Sequence, residues 1–427
     1  MITRRSFFRY SPFQKHLTSF SFIFKWLIIS STIGICIGSA SAFFLWSLHW
    51  VTDFRESHLW IIALLPLGGL MVGLLYHYYG KSVETGNNLL IETIHQPKET
   101  IPFKMAPMIL LGTLVTHLSG GSAGREGTAL QMAGSIADQF SKPFRLSKTD
   151  RKILIIASIS AGFGSVFGTP LAGAIFALEV YMIGKMKYDA LFPAFTAGIV
   201  AHLTCLLWHT PHTHYHIPVI PVLNGGTILY SILAGLVFGF VALSFSTISL
   251  YVVKAYRLIR FAPLRPFVGG IIVVAIMWML GTTKYAGLGI PTIVQSFTTP
   301  LPQYDFAIKI ILTILTLAAG FKGGEVTPLF FIGATLGNAL SFVIPLPMGL
   351  LAGMGFVGVF AGATNTPIAC IVMGIELFGC ECGIYVAIAC IISYLISGHT
   401  SIYRSQIVGQ SKHFHSKRHE GKRLNEL

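Results

Sequence analysis

"GGSAGREGTALQMAG" (120–134) breaks one long apolar stretch, and "AGFKGGEVTPLFFIG" (319–333) breaks another. With Glu126 laid over Glu325, glycines coincide five residues before the acid (Gly121, Gly320), two before (Gly124, Gly323) and eight after (Gly134, Gly333). Thr128 then falls on Thr327 and Leu130 on Leu329. A second pair of blocks follows, "FGTPLAGAIFALEV" (167–180) and "TNTPIACIVMGIEL" (364–377). Pro170 precedes Glu179 by nine residues, as Pro367 precedes Glu376. Glu126 to Pro170 spans 44 residues and Glu325 to Pro367 spans 42. Two independent blocks repeating at nearly equal spacing mark a duplicated chain.

The composition says where that chain lives. Of 427 residues, 53% are hydrophobic and only 11% charged, against about 25% charged in a soluble domain. Runs such as "WLIISSTIGICIGSASAFFLW" (26–46) and "ILYSILAGLVFGFVALSF" (228–245) reach the roughly 18–20 residues needed to cross a bilayer. "MAPMILLGTLVTHL" (105–118) is shorter and ends in glycines. The sequence therefore predicts an all-α polytopic membrane protein with helices of uneven length. Internal repeats in such proteins commonly build two halves around a central site, often inverted. The divisions predicted are a basic N-terminal tail (1–19), a first membrane repeat (20–208), a His/Pro-rich connecting loop (209–225), a second repeat (226–397) and a closing segment with a basic tail (398–427).

The formal net charge of +14 lies heavily at the ends, in Arg4, Arg5, Arg9 and Lys15 and in Lys412, Lys417, Arg418, Lys422 and Arg423. Positive flanks place both tails in the cytoplasm, which requires an even number of crossings. No basic face persists between the tails, so a nucleic-acid partner is not expected. The first apolar run lacks a cleavage site and is not read as a removable signal peptide. The six cysteines mostly sit in apolar runs as small buried hydrophobes. His209, His212, His214 and His216 form a dense cluster with the composition of a metal site. A solvated His-rich loop is the reading preferred, and no metal is assigned.

Non-helical backbone at membrane depth survives only when buried in protein or lining a watery cavity. A fresh helix N-terminus there presents unpaired N–H groups and about half a positive charge. The two Gly-rich breaks, one per half and each carrying a carboxylate, thus point to an anion held between helix starts. "VETGNNLLIETI" (83–94) supplies a third break, in which Asn87 and Asn88 offer amide N–H donors. Glu126 stands where the anion would sit: ionised, it takes the anion's place, and protonated, it can swing away. Glu179 and Glu376 are read as caps for backbone groups where helices meet, and Arg125 as an anchor for carbonyls or a carboxylate.

These residues resemble the CLC family of anion channels and anion/proton antiporters. "GREGT" (124–128), "GGEVTP" (323–328), the two "TP" segments and "GHTSIYRSQ" (398–406) carry the likeness, which covers about 85–406. The resemblance implies a CLC-type fold of two inverted repeats with broken and tilted helices. It also implies a homodimer with one pore per subunit, in the cell (inner) membrane and without a cofactor. By resemblance, Glu126 is the gating and proton-coupling residue and Tyr403 the pore tyrosine. Glu325, Val326 and Thr327, with Asn87 and Asn88, would bind the anion. Gly86, Gly124, Arg125, Gly127, Gly324 and Glu179 would support the site.

The departures from the usual motifs (GSGIP, GREGP, GxFxP) carry information. "GNNLL" (86–90) puts Asn87 in the pore-serine place, Thr128 replaces proline, and Val326 stands for the phenylalanine. These changes resemble the fluoride-exporting branch, whose members exchange fluoride for protons. Val180 stands where many chloride/proton antiporters carry a second carboxylate. Fluoride is smaller and more strongly hydrated than chloride and demands strong donors, which Asn87, Thr327 and Tyr403 offer. Glu325 beside an anion requires either a proton for part of the cycle or a donor such as Lys322. The function expected is a fluoride/proton antiporter exporting fluoride. The alternative is a chloride/proton antiporter or a voltage-gated-type chloride channel of the same family.

An intramembrane enzyme is disfavoured: there is no HExxH pair in an apolar run, and His117 stands alone. A scaffold protein would need a sizeable soluble domain, whereas about two dozen basic residues follow Tyr403 and are expected to be mobile.

Overall fold

The first half opens with α1 (Pro12–Ser57) and α2 (Leu65–Tyr79), followed by the short α3 (Asn87–His95). It continues with α4 (Met105–Leu118), α5 (Glu126–Gln139), α6 (Lys148–Phe167), α7 (Pro170–Glu179) and α8 (Leu191–Leu207). The second half contains α9 (Gly225–Tyr256), α10 (Leu264–Leu280), α11 (Ile290–Gln295) and α12 (Asp305–Ala319). It closes with α13 (Val326–Leu340), α14 (Met348–Thr364), α15 (Pro367–Phe378) and α16 (Gly383–Ile396). This computed structural model describes residues 12–427, apart from the side chains of residues 12–19 and 414–416. Arg4, Arg5 and Arg9 of the expected N-terminal tail lie outside the described residues, and the first helix already runs from Pro12.

Among the described residues, four helical segments are long and apolar enough to cross a bilayer: Phe20–Ser57, Leu59–Tyr79, Tyr188–Leu207 and Gly225–Tyr256. The 14-residue α4 and α5 each cover only about 21 Å, short of a hydrocarbon core of about 30 Å. They therefore end inside it. Ser147 and Asp150 form a capping box that starts α6, and Asn224 with Thr227 does the same for α9.

The duplication is physical. Helices α4–α8 and α12–α16 are equivalent runs, and their breaks meet: Gly124 N–H donates to Gly324 O (2.6 Å) and Gly324 N–H to Gly124 O (2.8 Å). A Cβ on Gly324 would stand 2.6 Å from Gly127 N, so only glycine lets the strands approach. Equivalent helices α7 and α15 clasp each other in the same reciprocal way. Glu179 at the end of α7 accepts from Ile368 N (3.3 Å) and Ala369 N (2.9 Å) at the start of α15. Glu376 near the end of α15 accepts from Leu171 N (3.0 Å) and Ala172 N (2.7 Å) at the start of α7. Two helices that each bind the other's N-terminus through a C-terminal carboxylate run antiparallel. The halves are inverted.

Dense packing supports this frame. Phe330 of α13 stacks on Phe356 of α14 with centroids 4.0 Å apart. Gly333 lies so close to α14 that an added Cβ would meet Gly355 O at 2.0 Å, the small-residue contact that lets membrane helices touch.

The closing segment departs from expectation. Instead of a mobile tail, residues 404–427 fold back over one end of the bundle. Strand β1 (Met182–Ile183) pairs in parallel with β2 (Ile407–Val408). Gln406, fully buried, donates to Val180 O (2.7 Å) and Thr364 O (2.8 Å). Lys412 Nζ reaches Asn365 Oδ1 (2.5 Å) and Tyr394 O (2.6 Å). The physical reason is that α14 and α16 end here with unpaired carbonyls, and an amide and an ammonium are suited to satisfy them.

Candidate functional site

Glu126 is the first residue of α5 and is fully buried. Its carboxylate crosses to the other half of the molecule. Oε2 accepts from Thr327 N (3.1 Å) and from Arg125 N (3.1 Å), and Oε1 accepts from the Thr327 hydroxyl. Arg125 Nε lies 3.5 Å from Oε1. The acid thus sits at the N-terminus of α13, where backbone N–H groups and the helix dipole favour a negative charge. Gly124 keeps the loop close, since a Cβ there would be 2.9 Å from Oε2. Thr313 and Thr316 of α12 hold Ser122 of the first break through Thr313 Oγ1 (2.9 Å) and Thr316 Oγ1 (3.3 Å). Thr113 and Thr128 share a 2.6 Å hydrogen bond that ties α4 to the start of α5.

Beside this seat lies a cavity of about 150 Å³ lined by Asn87, Gln131, Lys322, Glu325 and Tyr403, among others. Tyr403 is 2% exposed, and its hydroxyl has no hydrogen-bond partner among the described residues. Asn87 Oδ1 is likewise buried and unpartnered. Unpaired buried polar groups are costly, and two of them facing one small cavity are a place for a small polar guest. The three breaks converge here: a Cβ on Gly127 would meet Asn87 Nδ2 and Gly324 Cα, each at 3.0 Å. Gly86 turns the third break with φ +60°, beneath the Gln131 amide. Val326 is buried as the first residue of α13.

Asn88 lines the same small cavity, and its Oδ1 accepts from Ser405 N (3.0 Å) while Ser405 Oγ donates to Glu92 (2.8 Å), so it also pins the loop that carries Tyr403. Lys322 does not bond Glu325; its ammonium lies 3.9 Å above the Tyr76 ring. The loop histidines form no metal cluster among the described residues. His212 Nε2 instead meets Ser165 O at 2.9 Å.

A wide vestibule of about 1030 Å³ opens next to the small cavity, and Lys322, Asn88 and Glu84 line both. Its walls carry Lys81, Arg257, Arg265, Lys322 and Arg404 against Glu84 and Glu92. Such an excess of positive charge concentrates anions at the entrance. Nothing in the local sequence announced this wall, because its cations come from helices far apart in the chain.

A family model described as voltage gated chloride channel matches residues 68–398. A chloride/fluoride channel protein of Pseudomonas syringae pv. tomato is 53% identical over 400 residues, covering 92% of this chain and 88% of that one. The crystal structure of a CLC-type fluoride/proton antiporter superimposes with a TM-score of 0.87 at 35% identity, over 93% of this chain and 99% of that chain. A slow cyanobacterial Cl⁻/H⁺ antiporter shares the fold at 17% identity, with a TM-score of 0.76 over 87% of this chain and 94% of that one. With a family model over most of its length and a relative of 53% identity, the chain belongs to the voltage gated chloride channel family, the CLC proteins.

Proposed function

We propose that the protein is a secondary anion transporter that exports fluoride in exchange for protons. One observation carries this reading: the Glu126 carboxylate is bound by the Thr327 amide and hydroxyl, a seat equally suited to a small anion. A carboxylate and an anion that compete for one seat are coupled. The anion enters from the basic vestibule and reaches the cavity beside Asn87 and Tyr403. It displaces Glu126, which leaves the seat, takes a proton from the opposite side and carries it back as a neutral side chain.

Fluoride is favoured over chloride by the donors present. It holds its water more tightly, so its site must return strong hydrogen bonds. The Asn87 amide, the Thr327 hydroxyl and the Tyr403 phenol answer that need, and the small cavity suits the smaller ion. Glu325 lines the same cavity, and an ionised carboxylate there would repel the guest. In this proposal it carries a proton while fluoride occupies the cavity. The setting is a homodimer in the inner membrane, with the vestibule and the 404–427 segment on the cytoplasmic face. Basic flanks at both ends of the chain support that orientation.

The test is direct. Purified protein in liposomes loaded with fluoride should acidify the lumen as fluoride leaves, read by a fluoride electrode and a trapped pH dye. Chloride transported in preference to fluoride would replace this reading with a chloride/proton antiporter. Fluoride flux without proton movement would make the protein a channel.

A further inference from the structure

Joined to the first break lies a knot of buried cations that the mechanism above does not use. Lys309 of α12 is fully buried, and its ammonium donates to Tyr285 O (3.0 Å) and Gly287 O (2.8 Å), 5.1 Å from the Phe331 centroid. Arg55, at the end of α1 and 5% exposed, donates to His117 O (2.9 Å). His117 is fully buried; its Nε2 faces Gly124 O at 3.5 Å, and its Nδ1 has no partner. A Cβ on Gly287 would stand 2.7 Å from Arg55 Nη1 and 3.4 Å from His117 Nδ1. Gly287 N–H also bonds Gly121 O (3.1 Å), so the knot is joined directly to the first break.

Arg55 has a counter-charge in Glu56, which pairs with it from a largely exposed position. Lys309 has two backbone carbonyls and no acid among its hydrogen-bond partners. Asp305, one turn before Lys309, is engaged by Lys284 and by the Tyr285 hydroxyl. A buried charge at membrane depth is expensive and marks function. The anion seat is the place where a negative charge always resides, either as Glu126 or as the transported ion.

We infer that Lys309, held by two backbone carbonyls beside Arg55 and His117, is the fixed positive charge that sets how tightly the seat holds both its anion and the Glu126 carboxylate. It is a positioning residue that acts through the seat without touching the ion. This rests on the proton-coupled reading above. In a medium of effective permittivity about 20, a unit charge acting over about 10 Å changes an anion affinity by about tenfold. The sign follows: without the cation, the seat holds its anion more weakly.

The experiment compares wild type with Lys309→Met, Lys309→Gln and Lys309→Arg in the liposome assay. Lys309→Met should raise half-saturating fluoride about tenfold, while Lys309→Arg stays near wild type. Should the methionine variant fail to assemble, Lys309→Gln keeps an N–H for the two carbonyls and drops only the charge. Unmoved half-saturation in the neutral variants would overturn the inference, as would a change confined to the maximal rate. A wild type that moves fluoride without protons would sink the antiport reading, while the half-saturation comparison would still decide the role of Lys309.

Discussion

The two Gly-rich breaks have the same backbone and opposite duties. Each ends an apolar helix, bonds its counterpart through one glycine N–H and one glycine C=O, and starts a new helix at membrane depth. The first break ends in Glu126, whose side chain leaves its own helix and crosses to the other half. The second offers the Thr327 amide and hydroxyl, while Glu325 turns towards the cavity. In the proposed cycle one half supplies the plug and the other the socket. Inverted duplication gives two equal frames, and two or three side chains then divide the work between them.

That division can be broken at three points. Glu126→Gln should abolish proton coupling entirely, since an amide cannot exchange a proton near neutral pH; the fluoride-to-proton ratio measures this, and coupled exchange that persists in the variant ends the assignment. Glu325→Gln should also lower coupling, though only partly, and should leave fluoride able to enter at higher pH. An unchanged rate and ratio would remove Glu325 from the mechanism. Thr327→Val keeps the backbone donor and loses the hydroxyl, a bond to a charged partner normally contributing about 1.5–3 kcal/mol. Half-saturating fluoride should rise by roughly one order of magnitude or more.

The smallest effects test the clasp between α7 and α15. Glu179→Ala strands two amides in a site 7% exposed at the acid and should cost about 2 kcal/mol. Glu376→Ala leaves its amides nearer solvent and should cost about 1 kcal/mol. Thermal unfolding in detergent ranks the two. Equal losses would mean that the halves bear load symmetrically at this contact despite their different burial.

Much of this was legible because it is local. Glycine spacing around Glu126 and Glu325 reveals the duplication, and the carboxylate at a helix start points to Glu126, which reaches Thr327 of the other half. Asn87 and Tyr403, from separate short motifs, line one small cavity. Inversion was not readable from similarity; it needed the reciprocal bonds of Glu179 and Glu376 across nearly two hundred residues. Nothing in "GNN" distinguishes one amide from the next; both line the small cavity, and the docking of Ser405 on Asn88 Oδ1 adds a second duty that the sequence does not announce. The tail was misjudged on composition, since its basic residues conceal Gln406 and Lys412, which satisfy helix ends elsewhere. Lys309 stands in the apolar run of α12 and Arg55 in "TDFRES" (52–57) at the end of α1, and their meeting depends on helices α1, α4 and α12.

The paired hydrogen bonds between Gly124 and Gly324 have a consequence for how transport can proceed. Many carriers expose their cargo alternately by rocking one bundle against the other, opening a cleft along the pseudo-symmetry seam. Here the seam is stitched beside Glu126 by two main-chain bonds between closely opposed glycines. In the proposed cycle, rocking would tear the seat apart in the act of loading it. Turnover is then carried by rotamer swings, and cross-links placed across the seam away from Glu126 should leave it running.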